Sequence, residues 1–378
     1  MKKLLTICFA LVLHPAVRAQ HQHYQNHTKL AAGETVRPNA AAVGWPDSVS
    51  DAVAIGRGIH PAISIDDAGN VHVVFGRGQA FFYTASTDSG QTFSSPTQLD
   101  SLPGLHLGAS RGPQIAANEQ YVIITALDKP GNVWAYSLDR KTGIWAKRRR
   151  VNDVPEVAKE GFVSLATAAD GAVHAIWLDL RTDGNNKIVG AASADGGRTW
   201  SANRVLYQSP DGTVCECCQP TVVGNGRHVA VLFRNYVAGA RDMYLLLSHN
   251  NGETFEPARK VGDGTWPLKA CPMDGGGVFI NQTGTVSTIW RREGDLYASA
   301  GNGAETLLGP GKLGKVAVSP SGIHYVWQTD GQIWAKTPGQ PKPRLLGAGG
   351  YAKLCLLPNG RVLCVWEQGN RVVRRFIE

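Results

Sequence analysis

The clearest chemistry in this chain lies in its cysteines. Cys215-Glu216-Cys217-Cys218 and Cys271-Pro272 place four thiols in two short groups. Thiols so grouped form structural disulfides, hold a soft ion such as copper or zinc as thiolates, or cycle as a redox pair. The spacing matches no standard zinc motif, and the three readings stay open at this level. Cys355 and Cys364 flank Asn359-Gly360, a dipeptide that favours a two-residue hairpin turn. Such a turn pairs Pro358 with Arg361, and counting outward sets Cys355 opposite Cys364. Cross-strand Cβ atoms at such a pair lie close enough for a bridge, so a Cys355–Cys364 disulfide is expected.

Elements must bring such groups together. From His60 onward the chain repeats a pattern of strand, turn, strand ending near an aromatic, and two further strands. The second strands end at Val74-Phe75, Ile176-Trp177, Leu232-Phe233, Ile289-Trp290, Val326-Trp327 and Val365-Trp366. Asp67-Ala68-Gly69-Asn70, Asp170-Gly171, Asn225-Gly226 and Asn359-Gly360 supply hairpin turns. Starts near residues 60, 111, 161, 218, 271, 314 and 350 make seven units, the last with three obvious strands. Repeated antiparallel four-stranded units predict an all-β propeller. A strand from residues 30–55 is expected to close the last blade. In such a ring the start of each first strand and the end of each second strand share one face. That rule gathers His60, Arg111, Cys218, Gln219, Cys271, Asp274 and Tyr351 around one mouth. The second-strand ends add Arg77, Asp128, Asp179, Arg181, Arg234, Arg291, Arg292 and Glu367. A mouth so rich in ionisable groups is a candidate binding site.

Three turns share the spelling Ser-x-Asp-x-Gly-x-Thr-aromatic. They span residues 86–93, 193–200 and 248–255, the third with Asn250 for Asp. The spelling resembles the Asp-box of the sialidase superfamily, whose members are β-propellers with six blades, against seven units counted here. The unit Gly350-Tyr351-Ala352-Lys353-Leu354, with Val365-Trp366-Glu367, is similar to the closing sialidase blade. That resemblance implies Tyr351 as nucleophile and Glu367 as holder of a substrate-clamp arginine. It also implies Arg234 and Arg291 as clamp arginines; a planar guanidinium fork suits a sugar carboxylate. Two positions depart from the family. His60 stands where the first-blade arginine is expected, and Gln219 stands before Pro220 where a Glu would take the tyrosine's proton. An amide cannot do that. Asp179, with Asp128 beside it, is the candidate acid/base. The chain also resembles exported sialidase-like propellers that carry a similar Cys-x-Cys-Cys and Cys-Pro pair. The expectation is a propeller that binds an anionic ligand, an acidic glycan or another small anion, with an incomplete catalytic set. Arg111 and Gln219 would join Arg234 and Arg291 as ligand contacts. Two alternatives stand beside it: an active exo-sialidase using Tyr351, and an envelope metal or redox protein using Cys215, Cys217, Cys218 and Cys271.

Met1-Lys2-Lys3, the apolar run from Leu4 to Leu13 and Val17-Arg18-Ala19 read as a signal peptide over residues 1–19. The run is too short to span a bilayer, and no later stretch reads as a membrane helix. Residues 20–55 follow as a flexible segment with the closing strand, then 56–378 as the propeller, in a periplasmic or secreted protein. Of seven cysteines, loss of Cys8 leaves an even number, which favours disulfides. The net charge of +8 falls to +5 without Lys2, Lys3 and Arg18. Lys147-Arg148-Arg149-Arg150 lacks interleaved aromatics and reads as a solvated strand edge, so no nucleic-acid partner is expected. His21, His23 and His27 read as a polar tail, with metal capture the alternative. No nucleotide or haem motif occurs. No cofactor is expected beyond a copper or zinc ion at the cysteines, and the chain is expected to act as a monomer.

Overall fold

Runs of Val, Ile and aromatics cut by Gly, Asp and Asn turns fold as strands. The computed structural model describes residues 51–301 and 303–377. The signal-peptide reading, residues 20–50 and the histidine tail lie outside these residues. Seven antiparallel sheets follow one another as blades, six of four strands and one with a short fifth. The first two strands of blades 1 to 4 are Ile59–Ile65 and Val71–Arg77, Gln114–Ala117 and Tyr121–Leu127, Val163–Thr167 and Val173–Asp179, and Thr221–Asn225 and His228–Arg234. Those of blades 5 to 7 are Gly277–Ile280 and Val286–Arg292, Lys312–Ser319 and Gly322–Thr329, and Gly350–Leu356 and Val362–Gln368. Val53–Arg57 pairs with the C-terminal strand Arg371–Phe376 and completes blade 7. The closing strand therefore comes from the N-terminal side, as expected. It straddles the expected boundary at residue 55 and belongs to the propeller.

Each blade is apolar on both faces because each has a neighbour on both sides. In blade 3, Val173, Ala175 and Trp177 face blade 2, while Ile176 and Leu178 face blade 4. One such cluster fills each of the seven junctions, including the one between blades 7 and 1. The first strands are also tied side to side. Ala117 N–H donates to Ser64 Oγ at 3.0 Å, Val222 N–H to Ser164 Oγ at 3.0 Å, and Thr221 Oγ1 to the Gly276 carbonyl at 3.3 Å. First strands thus line the axis and second strands back them.

The boxes sit between third and fourth strands of blades 1, 3 and 4. In the first, Gly90 N–H donates to Ser86 Oγ at 2.8 Å and Thr92 N–H to Asp88 Oδ1 at 2.9 Å. Asp195 and Asn250 accept the matching bonds from Thr199 and Thr254. Glycine is required here: Gly252 has φ +76°, and a Cβ would stand 2.5 Å from the His174 ring. The boxes are architectural and lie away from the axis.

The structure corrects the expected Cys355–Cys364 bridge. Cys355 pairs with Leu363 and Cys364 with Leu354, and both thiols are free. A two-residue turn needs an N–H from Pro358, which has none. The hairpin closes one residue further out instead, with Leu357 N–H donating to the Arg361 carbonyl at 2.8 Å. One added residue flips the face of a side chain. Cys355 consequently packs between blades 7 and 1, and Cys364 between blades 6 and 7.

Candidate functional site

Three first strands begin with a bulge. Pairing shifts between Ile59 and Ala62, Lys312 and Lys315, and Gly350 and Lys353. Within these bulges His60, Leu313 and Tyr351 hold φ of 52°, 58° and 55°. Bulges and left-handed non-glycine residues re-aim side chains. Here they help form a small cavity on the axis, about 30 Å³ in volume, room for one anionic group. His60, Arg111, Gln114, Gln219, Lys315, Tyr351 and Lys353 line it with backbone of blades 1, 2, 5 and 6, and none of its described lining residues is acidic.

Burial shapes the charges there. Lys315 Nζ donates to the Gly276 carbonyl at 2.6 Å, and burial lowers its pKa. Lys353 is pulled down to about 7 by burial, then by the charge of Lys315. Its Nζ has no hydrogen-bond or ion-pair partner among the described residues. His60 is held near 4 by burial and by the charges of Lys353 and Arg111, so it is neutral at neutral pH. Arg111 donates through Nε to the Glu160 carbonyl at 2.6 Å and lies 4.2 Å over the Phe162 ring.

Tyr351 lies against the His60 ring, centroids 4.1 Å apart. Burial, then the charge of Glu367, raises its hydroxyl pKa, partly offset by the Ser110 backbone N–H. This is the wrong direction for a nucleophile. Glu367 Oε2 accepts the His60 backbone N–H at 2.8 Å and has no arginine partner among the described ion pairs. It supports the bulge at His60 instead of the expected clamp. Arg234 is only 2% exposed. Its Nε, Nη1 and Nη2 donate to the carbonyls of Asp274, Arg241 and Arg291 at 3.0, 2.6 and 2.9 Å. A guanidinium so buried and bonded staples blades 4 and 5 together. Arg291 spends Nε on the Glu293 carbonyl at 2.7 Å and does not line the cavity. Asp179 is fully buried, bonded to Trp177 Nε1 and paired with Arg181. Asp128 likewise accepts Trp134 Nε1 and the Asn132 N–H. Both carboxylates fix strand ends, so neither serves as the expected acid/base. Gln219 does line the cavity, but its Nε2 donates to the Val163 carbonyl at 2.7 Å.

Sequence reasoning missed Lys315, Lys353 and Glu160. The two lysines each stand two residues after a bulged residue, Leu313 and Tyr351, and the bulges emerge only from the strand pairing. Burial pushes the Glu160 carboxyl up to about 7, against a hydrogen bond from Asn186 and the charge of Arg111.

The structure does bring the four cysteines of blades 4 and 5 together. Sγ–Sγ separations are 3.7 Å for Cys215–Cys217, 3.4 Å for Cys215–Cys218 and 4.0 Å for Cys217–Cys218, with Cys271 and Met273 packed against them. Burial opposes ionisation of Cys215. Hydrogen bonds from Cys217 and Cys218 and the charges of Arg241 and Arg234 overcome it and hold this thiol well below its usual range.

No protein-family model and no curated protein matches the sequence. Solved structures do match in fold. The polysaccharide lyase Uly1 has a TM-score of 0.53 at 10% identity, over 90% of this chain and 94% of its own. An ulvan lyase of polysaccharide lyase family 25 has 0.51 at 12%, over 86% and 94%. AofleA from Arthrobotrys oligospora has 0.52 at 13%, over 78% and 88%. The Hadza microbial sialidase Hz136 is also similar, at 0.49 and 13%. The chain is a seven-bladed β-propeller. At these identities the likeness is one of fold.

Proposed function

We propose that this protein binds an acidic glycan, with a carboxylate or sulfate of the ligand held in the axial cavity. The observation that carries this is the meeting of Arg111, Lys315 and Lys353 in one cavity with no acidic residue among its described lining. Cations in a partly enclosed, low-dielectric space focus potential on an incoming anion. Neutral His60, Gln114 and Gln219 supply hydrogen-bonding groups for the rest of the ligand. Two of the propellers similar in fold are polysaccharide lyases, which supports glycan as the ligand class. The leader-like Met1–Ala19 segment supports action outside the cytoplasm.

Sialidase turnover is not part of this reading. The Tyr351 hydroxyl is harder to ionise than usual, and Arg234 is buried with each guanidinium nitrogen bonded to a backbone carbonyl. Calorimetric titration tests the proposal. An oligogalacturonate should bind, a neutral oligosaccharide of equal length should not, and Lys353→Met should weaken the acidic ligand roughly tenfold or more. Equal binding of both sugars would sink it.

A further inference from the structure

The cysteine group of blades 4 and 5 is not used by the axial cavity, although Gln219 joins the two in sequence. Cys215, Cys217 and Cys218 are 0%, 6% and 2% exposed. Three thiols buried at van der Waals distance from one another call for a reason. All three sulfurs lie within 4.8 Å of one another. The triangle set by their separations of 3.7, 3.4 and 4.0 Å has its centre about 2.2 Å from each sulfur, close to the ~2.3 Å of a metal–thiolate bond.

From this geometry we infer that Cys215, Cys217 and Cys218 form a trigonal thiolate site for copper(I). The donor number decides between the two soft d10 ions. Structural zinc takes four ligands in a tetrahedron, whereas copper(I) is satisfied by three sulfurs in a plane. Cys271 is not part of the triangle of mutually close sulfurs, although its side chain hydrogen-bonds Cys217 and its Sγ lies 3.7 Å from Glu216 Oε1. Met273 packs against the group. Arg241 supplies the outer support that a thiolate site needs. Its Nη1 lies 3.0 Å from Cys215 Sγ and 3.1 Å from Glu216 Oε2, so a guanidinium faces the negative charge that three thiolates would bring. The backbone also holds the set in place: Cys215 N–H donates to the Arg234 carbonyl at 3.1 Å. Enclosure in the blade junction makes this a site that retains its ion. The inference is independent of the anion-binding reading, because no cation of the cavity takes part in it.

The test is anaerobic titration of the reduced full chain with copper(I) against bathocuproine disulfonate, followed by copper X-ray absorption. One copper(I) per chain should be withheld from the chelator, surrounded by three sulfurs. Cys217→Ser and Cys218→Ser should each weaken retention at least 100-fold, and a variant with His21, His23 and His27 all changed to Ala should keep it. The proposal is overturned by failure to withhold copper. It is equally overturned by retention in both serine variants, or by tight zinc binding with four sulfurs that depends on Cys271. A Cys215–Cys218 bridge that persists in reductant-treated protein also overturns it. Should a serine variant not fold, the wild-type absorption spectrum decides alone, since nitrogen or four-sulfur surroundings exclude the trigonal site.

Discussion

The mouth of this propeller has two cationic corners that use their charges in opposite ways. In blades 4 and 5, Arg234 is sealed in and all three of its donor groups go to backbone carbonyls. In blades 6 and 7, Lys315 and Lys353 sit side by side on the axis, and only Lys315 finds a carbonyl. A buried cation whose every nitrogen bonds a backbone carbonyl is a structural part. A cation held beside another cation, at a cost in desolvation and repulsion, is placed for a visitor. Sequence similarity pointed at the arginine; satisfaction of donors points at the lysines.

The sharpest way to break this contrast is Arg234→Ala. Three buried carbonyls would lose their donor and a void would open between blades 4 and 5. Stability should fall by about 3–5 kcal/mol, read by chemical denaturation. A loss under about 1 kcal/mol would put Arg234 back among the ligand contacts. Next comes Lys353→Met, with the opposite signature. Affinity for the acidic ligand should drop at least about tenfold while Tm holds or rises, because a buried ammonium beside Lys315 is removed.

The pH profile sharpens the same point with a smaller effect. Lys353 is held to about 7 in the folded protein, so its charge is lost as pH rises from 6 to 8.5. Ligand affinity should weaken across that window and stay flat in the Met variant. The sign for stability is the reverse. The unfolded chain keeps this proton up to about pH 10, so it binds more protons than the folded chain from about 7 to 10, and stability gains with pH there. A wild-type affinity that does not change with pH would remove Lys353 from the site. Smallest is Tyr351→Phe, expected to change affinity by less than about twofold, since its hydroxyl is engaged by the Ser110 backbone N–H. A tenfold loss would make the hydroxyl a direct ligand contact.

The repeat was legible because each blade rewrites the same local rules. Glycines at positive φ, Ser–Asp–Thr turns and aromatic second strands gave seven blades with their order. The mouth was legible too, since which strand ends share a face follows from pairing alone. Register inside one hairpin was not, because Asn359-Gly360 invites a two-residue turn while the missing N–H of Pro358 forbids it. The roles of Arg234, Asp179 and Glu367 were hidden for another reason. Their partners are backbone carbonyls, a tryptophan indole, an adjacent arginine and a backbone amide, and no motif spells these out. Lys315 and Lys353 became visible only once the bulges at Leu313 and Tyr351 turned the strand starts inward.

The pairing of Val53–Arg57 with Arg371–Phe376 makes the earliest and latest stretches of the fold neighbours in the blade that carries Tyr351, Lys353 and Glu367. The axial cavity therefore cannot be finished until Arg371–Phe376 has joined Val53–Arg57. Until then the first strand has no partner edge to join. Loss of either strand would strike first at the blade that carries the charged axis.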